Sequence, residues 1–131
     1  MLTLTLPWPP SVNAYWRHVV MGRSARVLLS REGRAYRDQV ADAVLKQGPR
    51  PTLAGPLQVV LLAYPPDRRT RDLDNITKGI LDGLTHALVY LDDSQIDDLR
   101  IVRRAVEKPG RVVVHISRLA VPVEDRIGGV A

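Results

Sequence analysis

Hydrophobic periodicity changes several times along the chain, and each change marks an element. Residues 3–6 alternate over a short stretch and predict a first strand, stopped by Pro7, Pro9 and Pro10. Residues 11–29 hold no sustained period and are expected to form a loop carrying Arg17, His18, Arg23 and Arg26. From a Ser30 cap to Gln47 the period becomes helical. Tyr36, Val40, Ala43, Val44 and Gln47 fall near one face, Arg31, Arg34 and Asp38 fall largely elsewhere, and Gly48-Pro49 ends the helix.

After a Pro/Gly-rich linker over 49–56, residues 57–64 are almost continuously apolar and predict a buried, central strand halted by Pro65-Pro66. A second helix is expected from about 74 to 87, with Ile76, Ile80 and Leu84 on one side. Strands over 99–106 and 112–119 are expected to pair as a hairpin through Lys108-Pro109-Gly110. This order predicts an α+β fold: one small domain over 1–119 with a mixed β-sheet flanked by helices, then a loose C-terminal tail over 120–131.

Composition narrows the function. At 131 residues, 45% hydrophobic and 25% charged, the chain suits one globular domain. The absence of cysteine excludes disulfides, thiolate metal sites and a thiol nucleophile. His18, His86 and His115 make no zinc-like spacing. The N-terminus shows neither a basic leader nor a long apolar run, so a cytoplasmic protein without a membrane segment is expected. A formal net charge of +5 and a pI near 10.1 suit a polyanionic partner such as nucleic acid.

Against that basic background, eight of the fourteen acidic residues lie between Asp67 and Asp98. If the junction that carries them is extended, Asp72 and Asp74, two apart, are expected to point the same way. Asp92 and Asp93 form a second pair beyond the helix. Clustered carboxylates supply hard oxygen ligands for Mg2+ or Mn2+, which lower the pKa of a water and neutralise charge on a phosphate. The competing reading makes Asp72 and Asp74 helix caps and Asp92-Asp93-Ser94 a turn.

Lys78 stands four residues from both Asp74 and Asp82, as a cation beside the carboxylates or as a link in a chain of i,i+4 ion pairs. Asn75 has three roles open: a cap, a contact to a metal-bound water, or a contact to DNA. Arg68, Arg69 and Arg71 either position phosphates or balance the acidic cluster, and Arg17, Arg23 and Arg26 either wrap a strand or are solvated. Gly79 and Gly83, each costing about 1 kcal/mol in a helix, mark either a face that a strand, a subunit or a phosphate backbone approaches closely or simply a poorly designed helix. Trp8, Trp16, Tyr15 and Tyr36 are read as core or interface residues, and His115 as a partly buried structural one.

Taken in order, Leu6-Pro-Trp-Pro-Pro-Ser-Val-Asn13, Gly33-Arg-Ala-Tyr-Arg-Asp38, Pro66-Asp-Arg-Arg-Thr-Arg-Asp-Leu-Asp-Asn75 with Lys78, Asp82-Gly-Leu-Thr85 and Leu91-Asp-Asp-Ser-Gln95 resemble the RusA family of Holliday junction resolvases over nearly the full length. The resemblance implies a homodimeric, Mg2+-dependent endonuclease of recombination and repair that recognises four-way branched DNA and cuts opposing strands. It implies catalysis by Asp72, Asp74, Asp93 and Lys78, with the three aspartates holding the metal and Asp92 as an accessory. The chain departs from the family pattern in having no phenylalanine, so any interface or DNA wedge built on one is replaced or absent. Two other functions use the same residues: a broader nuclease acting on flaps and forks, and a junction-binding protein without catalysis.

Overall fold

A computed structural model describes residues 1–120, so all but the first residue of the expected tail lies outside the described residues. The chain runs β1 (Leu2–Pro7), α1 (Val12–Tyr15), β2 (Trp16–Met21), β3 (Ser24–Leu29), α2 (Arg31–Lys46), β4 (Leu57–Tyr64), α3 (Asp74–His86), a 3-10 turn (Asp93–Gln95), β5 (Ile96–Arg103) and β6 (Arg111–Arg118). The fold is α+β, with a mixed four-stranded sheet in the order β1-β6-β4-β5 and a separate two-stranded hairpin, β2-β3. No described helix is long and apolar enough to cross a membrane.

Burial alternates along β4, so its apolar run is split between two faces. Leu57, Val59, Leu61 and Ala63 join Val112, Val114 and Ile116 of β6 and Leu4 and Leu6 of β1 in the core. Tyr36, Val40 and Val44 of α2 and Ile76, Ile80 and Leu84 of α3 close it. At about 25 cal/mol per Å2 of apolar surface, this shared face is the main stabilising element. His115, on the opposite face, is half-buried with Nδ1 2.9 Å from Thr3 Oγ1, as its alternation predicts.

Three expectations change. Residues 11–29 are not a loop: α1 leads directly into the hairpin, where Gly22 at φ 62° takes the first central position of a two-residue turn. Strand β5 runs Ile96–Arg103, three residues earlier at each end than the apolar pattern indicated, because Asp97 and Asp98 break that pattern at a sheet edge. Strands β5 and β6 do not form a hairpin; β4 lies between them, parallel to β5 and antiparallel to β6. The parallel pair is reached through α3, and β4, with Leu57, Val59, Leu61 and Ala63 in the core, lies between β6 and β5.

Candidate active site

The parallel register of β4 and β5 sets Ala63 opposite Arg103, and Arg104 N–H donates to the Ala63 carbonyl at 2.7 Å. The carboxyl ends of both strands therefore open beside the segment that carries Asp67 to Asp72. A cleft of about 340 Å3 lies there, lined by Trp8, Arg68, Arg69, Asp72, Arg103 and Arg104 among others. A second, of about 290 Å3, shares Trp8 and Asp72 and adds Ser11 and Asn75. Clefts at the carboxyl ends of parallel strands are common places for ligands.

Helix α3 starts without a side-chain cap. Leu73 occupies the capping position in helical geometry (φ -63°, ψ -34°), so the expected extended junction is absent and Asp72 and Asp74 do not share a face by strand alternation; no side chain accepts from the first turn. Neither Asp72 nor Asp74 caps α3 through its side chain, which leaves the dipole and surface roles beside the metal-ligand reading. Asp72 uses only its backbone carbonyl, which accepts from Asn75 N–H at 3.1 Å. Both side chains are exposed, Asp74 in the first turn, where the helix dipole favours negative charge.

Asp93 opens the 3-10 turn and is half-buried, while Asp92 caps that turn. Asp92 accepts from Ser94 Oγ at 2.7 Å, and Gln95 Oε1 accepts from Asp92 N–H at 3.0 Å. Hydrogen bonds from Ser94 and Asp93 hold the Asp92 carboxyl below the usual carboxylate range. Asp92 is thus engaged in shaping the turn. Among the described residues no three carboxylate or imidazole groups stand close enough together to hold a metal ion, so one chain does not gather Asp72, Asp74 and Asp93 into a finished centre.

The arginines divide by environment. Arg71 Nη2 pairs with Asp67 Oδ1 at 2.7 Å, its guanidinium stands 5.6 Å from the Trp8 ring centroid, and its carbonyl accepts from Arg103. It braces the loop. The Arg69 backbone N–H and the Arg71 side chain together hold the Asp67 carboxyl low. Arg69 lies 3.7 Å from Asp67 with its side chain 83% exposed, and Arg68 is exposed beside it, so these two offer free donors to the cleft. Arg17 and Arg26 share one face of the hairpin, Arg23 sits in its turn, and all three are exposed.

Lys78 is exposed on α3 and makes no ion pair among the described residues, so the expected chain of i,i+4 pairs does not form. Asp82 instead accepts from Arg37 Nε at 2.7 Å, from Arg37 Nη2 at 3.1 Å and from the Tyr15 hydroxyl. The glycines are also accounted for within the chain: a Cβ on Gly79 would sit 3.2 Å from the Tyr15 ring, and one on Gly83 would sit 3.0 Å from Val40. The apolar pattern, which pairs the last two strands with each other, gives no sign that Arg103 and Arg104 line the cleft. Parallel pairing of β4 and β5 is the signal that would have placed them at the cleft.

A family profile described as endodeoxyribonuclease RusA matches residues 7–117. The chain is 44% identical to the crossover junction endodeoxyribonuclease RusA of Escherichia coli (strain K12), covering 89% of this chain and 94% of that protein. It is 43% identical to the corresponding protein of Enterobacteria phage 82, over 88% of this chain and 93% of that protein. Against the protein of that name from Shigella sonnei (strain Ss046) the identity is 43%, with 89% and 94% covered.

Proposed function

The chain belongs to the RusA family of endodeoxyribonucleases, and from that membership we propose that it resolves four-way DNA junctions by hydrolysing phosphodiesters in opposing strands. The observation that carries the reading is Asp72, exposed at an uncapped helix start and lining an arginine-rich cleft, with Asp74 exposed two residues on in the first turn of α3. Carboxylates whose side chains make no hydrogen bond among the described residues, next to cations suited to phosphate, fit metal-assisted hydrolysis better than a passive DNA-binding face.

Asp72, Asp74 and Asp93 would hold Mg2+, with Mn2+ able to substitute. Their all-oxygen donor set suits a hard cation, while their separation in one chain leaves further ligands to phosphate oxygens, water and a second copy. When bound, the ion supplies an activated water and charge neutralisation at the phosphate. Lys78, exposed and unpaired among the described residues, donates to a phosphate oxygen as negative charge accumulates there. Arg68 and Arg69 position the backbone from the cleft, Arg17, Arg23 and Arg26 extend the contact along the hairpin, and Asn75 lines the approach to Asp72.

A homodimer fits the substrate. Two symmetry-related sites address two symmetry-related strands of one junction. Half-buried Val60, Leu62 and Val113 on the open face of the sheet are apolar surface available to the second copy.

Substrate choice is tested by incubating the protein and Mg2+ with a four-way junction, a flap and a fork of matched sequence. Preferential cleavage of the junction supports the reading. Equal cleavage of all three would replace it with a broader branched-DNA nuclease, and tight junction binding without scission would replace it with a binding protein.

A further inference from the structure

Lys78 and Asp82 are one helical turn apart on α3, the spacing at which an ammonium and a carboxylate ordinarily pair. They do not pair here. Both Asp82 oxygens are occupied from other elements: Oδ2 accepts from Arg37 Nε at 2.7 Å and from the Tyr15 hydroxyl, and Oδ1 accepts from Arg37 Nη2 at 3.1 Å. Resting on the assignment of Lys78 to the phosphate chemistry, we propose that Arg37 and Tyr15 are positioning residues for cleavage, holding Asp82 so that it cannot capture Lys78.

Local geometry favours this division of partners. The Arg37 fork meets a carboxylate with two parallel N–H donors, whereas an ammonium on a flexible stem meets it as a point charge. The Arg37 and Asp82 side chains are only 31% and 20% exposed, so solvent and salt screen them less than they screen Lys78. Tyr15 is fully buried and reaches Asp82 across Gly79, where a Cβ would come within 3.2 Å of its ring. Glycine immediately after Lys78 thus makes room for the second donor. Burial raises the Asp82 carboxyl, but the Arg37 and Tyr15 hydrogen bonds outweigh it and the Lys78 charge adds to them, so its net shift is downward. Lys78 is near enough to feel Asp82 without being bonded to it.

Removing Arg37 leaves the Tyr15 hydroxyl as the sole donor on Asp82 and frees Oδ1 to accept from another donor, Lys78 being one helical turn away. Arg37→Met keeps much of the aliphatic stem while deleting the fork. The expected result is a fall of up to about 2-fold in junction turnover with affinity little changed. Adding Asp82→Asn deletes the competing charge and returns turnover to near the wild-type value. A purely architectural role predicts the opposite, a double variant at least as impaired as the single one.

The direct readout is the rate at which an amine-specific acylating reagent modifies Lys78 in the free protein, followed by peptide mass spectrometry. It should slow in Arg37→Met and recover in Arg37→Met/Asp82→Asn. Tyr15→Phe, which keeps the ring on Gly79, should slow it less and serves as the deciding variant if Arg37→Met does not fold. Unchanged Lys78 reactivity in a folded variant overturns the inference. Because labelling requires no DNA, that failure is separable from failure of the nuclease reading, which shows as wild-type protein that does not cut.

Discussion

Gly83 of α3 lies against Val40 of α2 so closely that a Cβ on the glycine would stand 3.0 Å from Val40 Cγ2 and 3.3 Å from its Cβ. Val40 is fully buried and β-branched, so it has little rotamer freedom with which to yield. An alanine here gains about 1 kcal/mol of helix propensity but meets an overpacking cost of about 1–3 kcal/mol. The packing term wins. Gly83→Ala should lower unfolding free energy by about 1 kcal/mol in urea titration, and a stabilised variant would contradict the packing described.

Lys78→Ala separates chemistry from folding. The side chain is exposed and makes no ion pair among the described residues, so its loss should change stability by no more than about 0.5 kcal/mol. Junction turnover should nevertheless fall by about two orders of magnitude, the scale of losing one preorganised donor at a developing oxyanion. Comparable losses in melting temperature and turnover would return Lys78 to a structural role.

Acid stability should report on Asp82. Its folded-state carboxyl is held below the ordinary value, so its contribution is fully present above the unfolded carboxylate pKa of about 3.9 and is lost as pH falls through the folded value. Asp82→Asn should lose about 1–2 kcal/mol at neutral pH and show a shallower decline on acidification below about pH 4. Parallel stability–pH curves for the two proteins would rule this pair out as the source.

The arginines should differ by location. Arg17→Ala, Arg23→Ala and Arg26→Ala on the exposed hairpin should each reduce the slope of log affinity against log salt by up to about 0.9 on duplex arms. Arg71→Ala should act mainly on stability, because its guanidinium pairs with Asp67 and covers Trp8. Fluorescence anisotropy across a salt series, beside thermal melts, distinguishes the two behaviours.

Elements whose burial follows one clear period were legible in the sequence. Helix α2 carries its Ser30 cap, with Ser30 Oγ accepting from Gly33 N–H at 2.9 Å, and β4 is central in the sheet. The hairpin was missed because Val20, Val27 and Leu28 are exposed, which erased the polar–apolar alternation; the Gly22-Arg23 turn was its remaining signal. Pairing of β5 with β4 could not be read from apolar pattern, since partner choice depends on the α3 crossover and on which strand covers the core. At the site, spacing made the acidic cluster conspicuous. That Asp82 turns to Arg37 rather than Lys78 depends on α2 packing against α3, which local spacing does not encode.

The most direct test is strand-resolved cleavage of a synthetic four-way junction by wild type, Asp72→Asn and Asp74→Asn, each with and without Mg2+. The account predicts symmetric nicks in opposing strands by wild type only when metal is present, with both variants binding the junction but failing to cut. Substantial Mg2+-dependent cleavage by both variants would contradict the assignment of these carboxylates to catalysis.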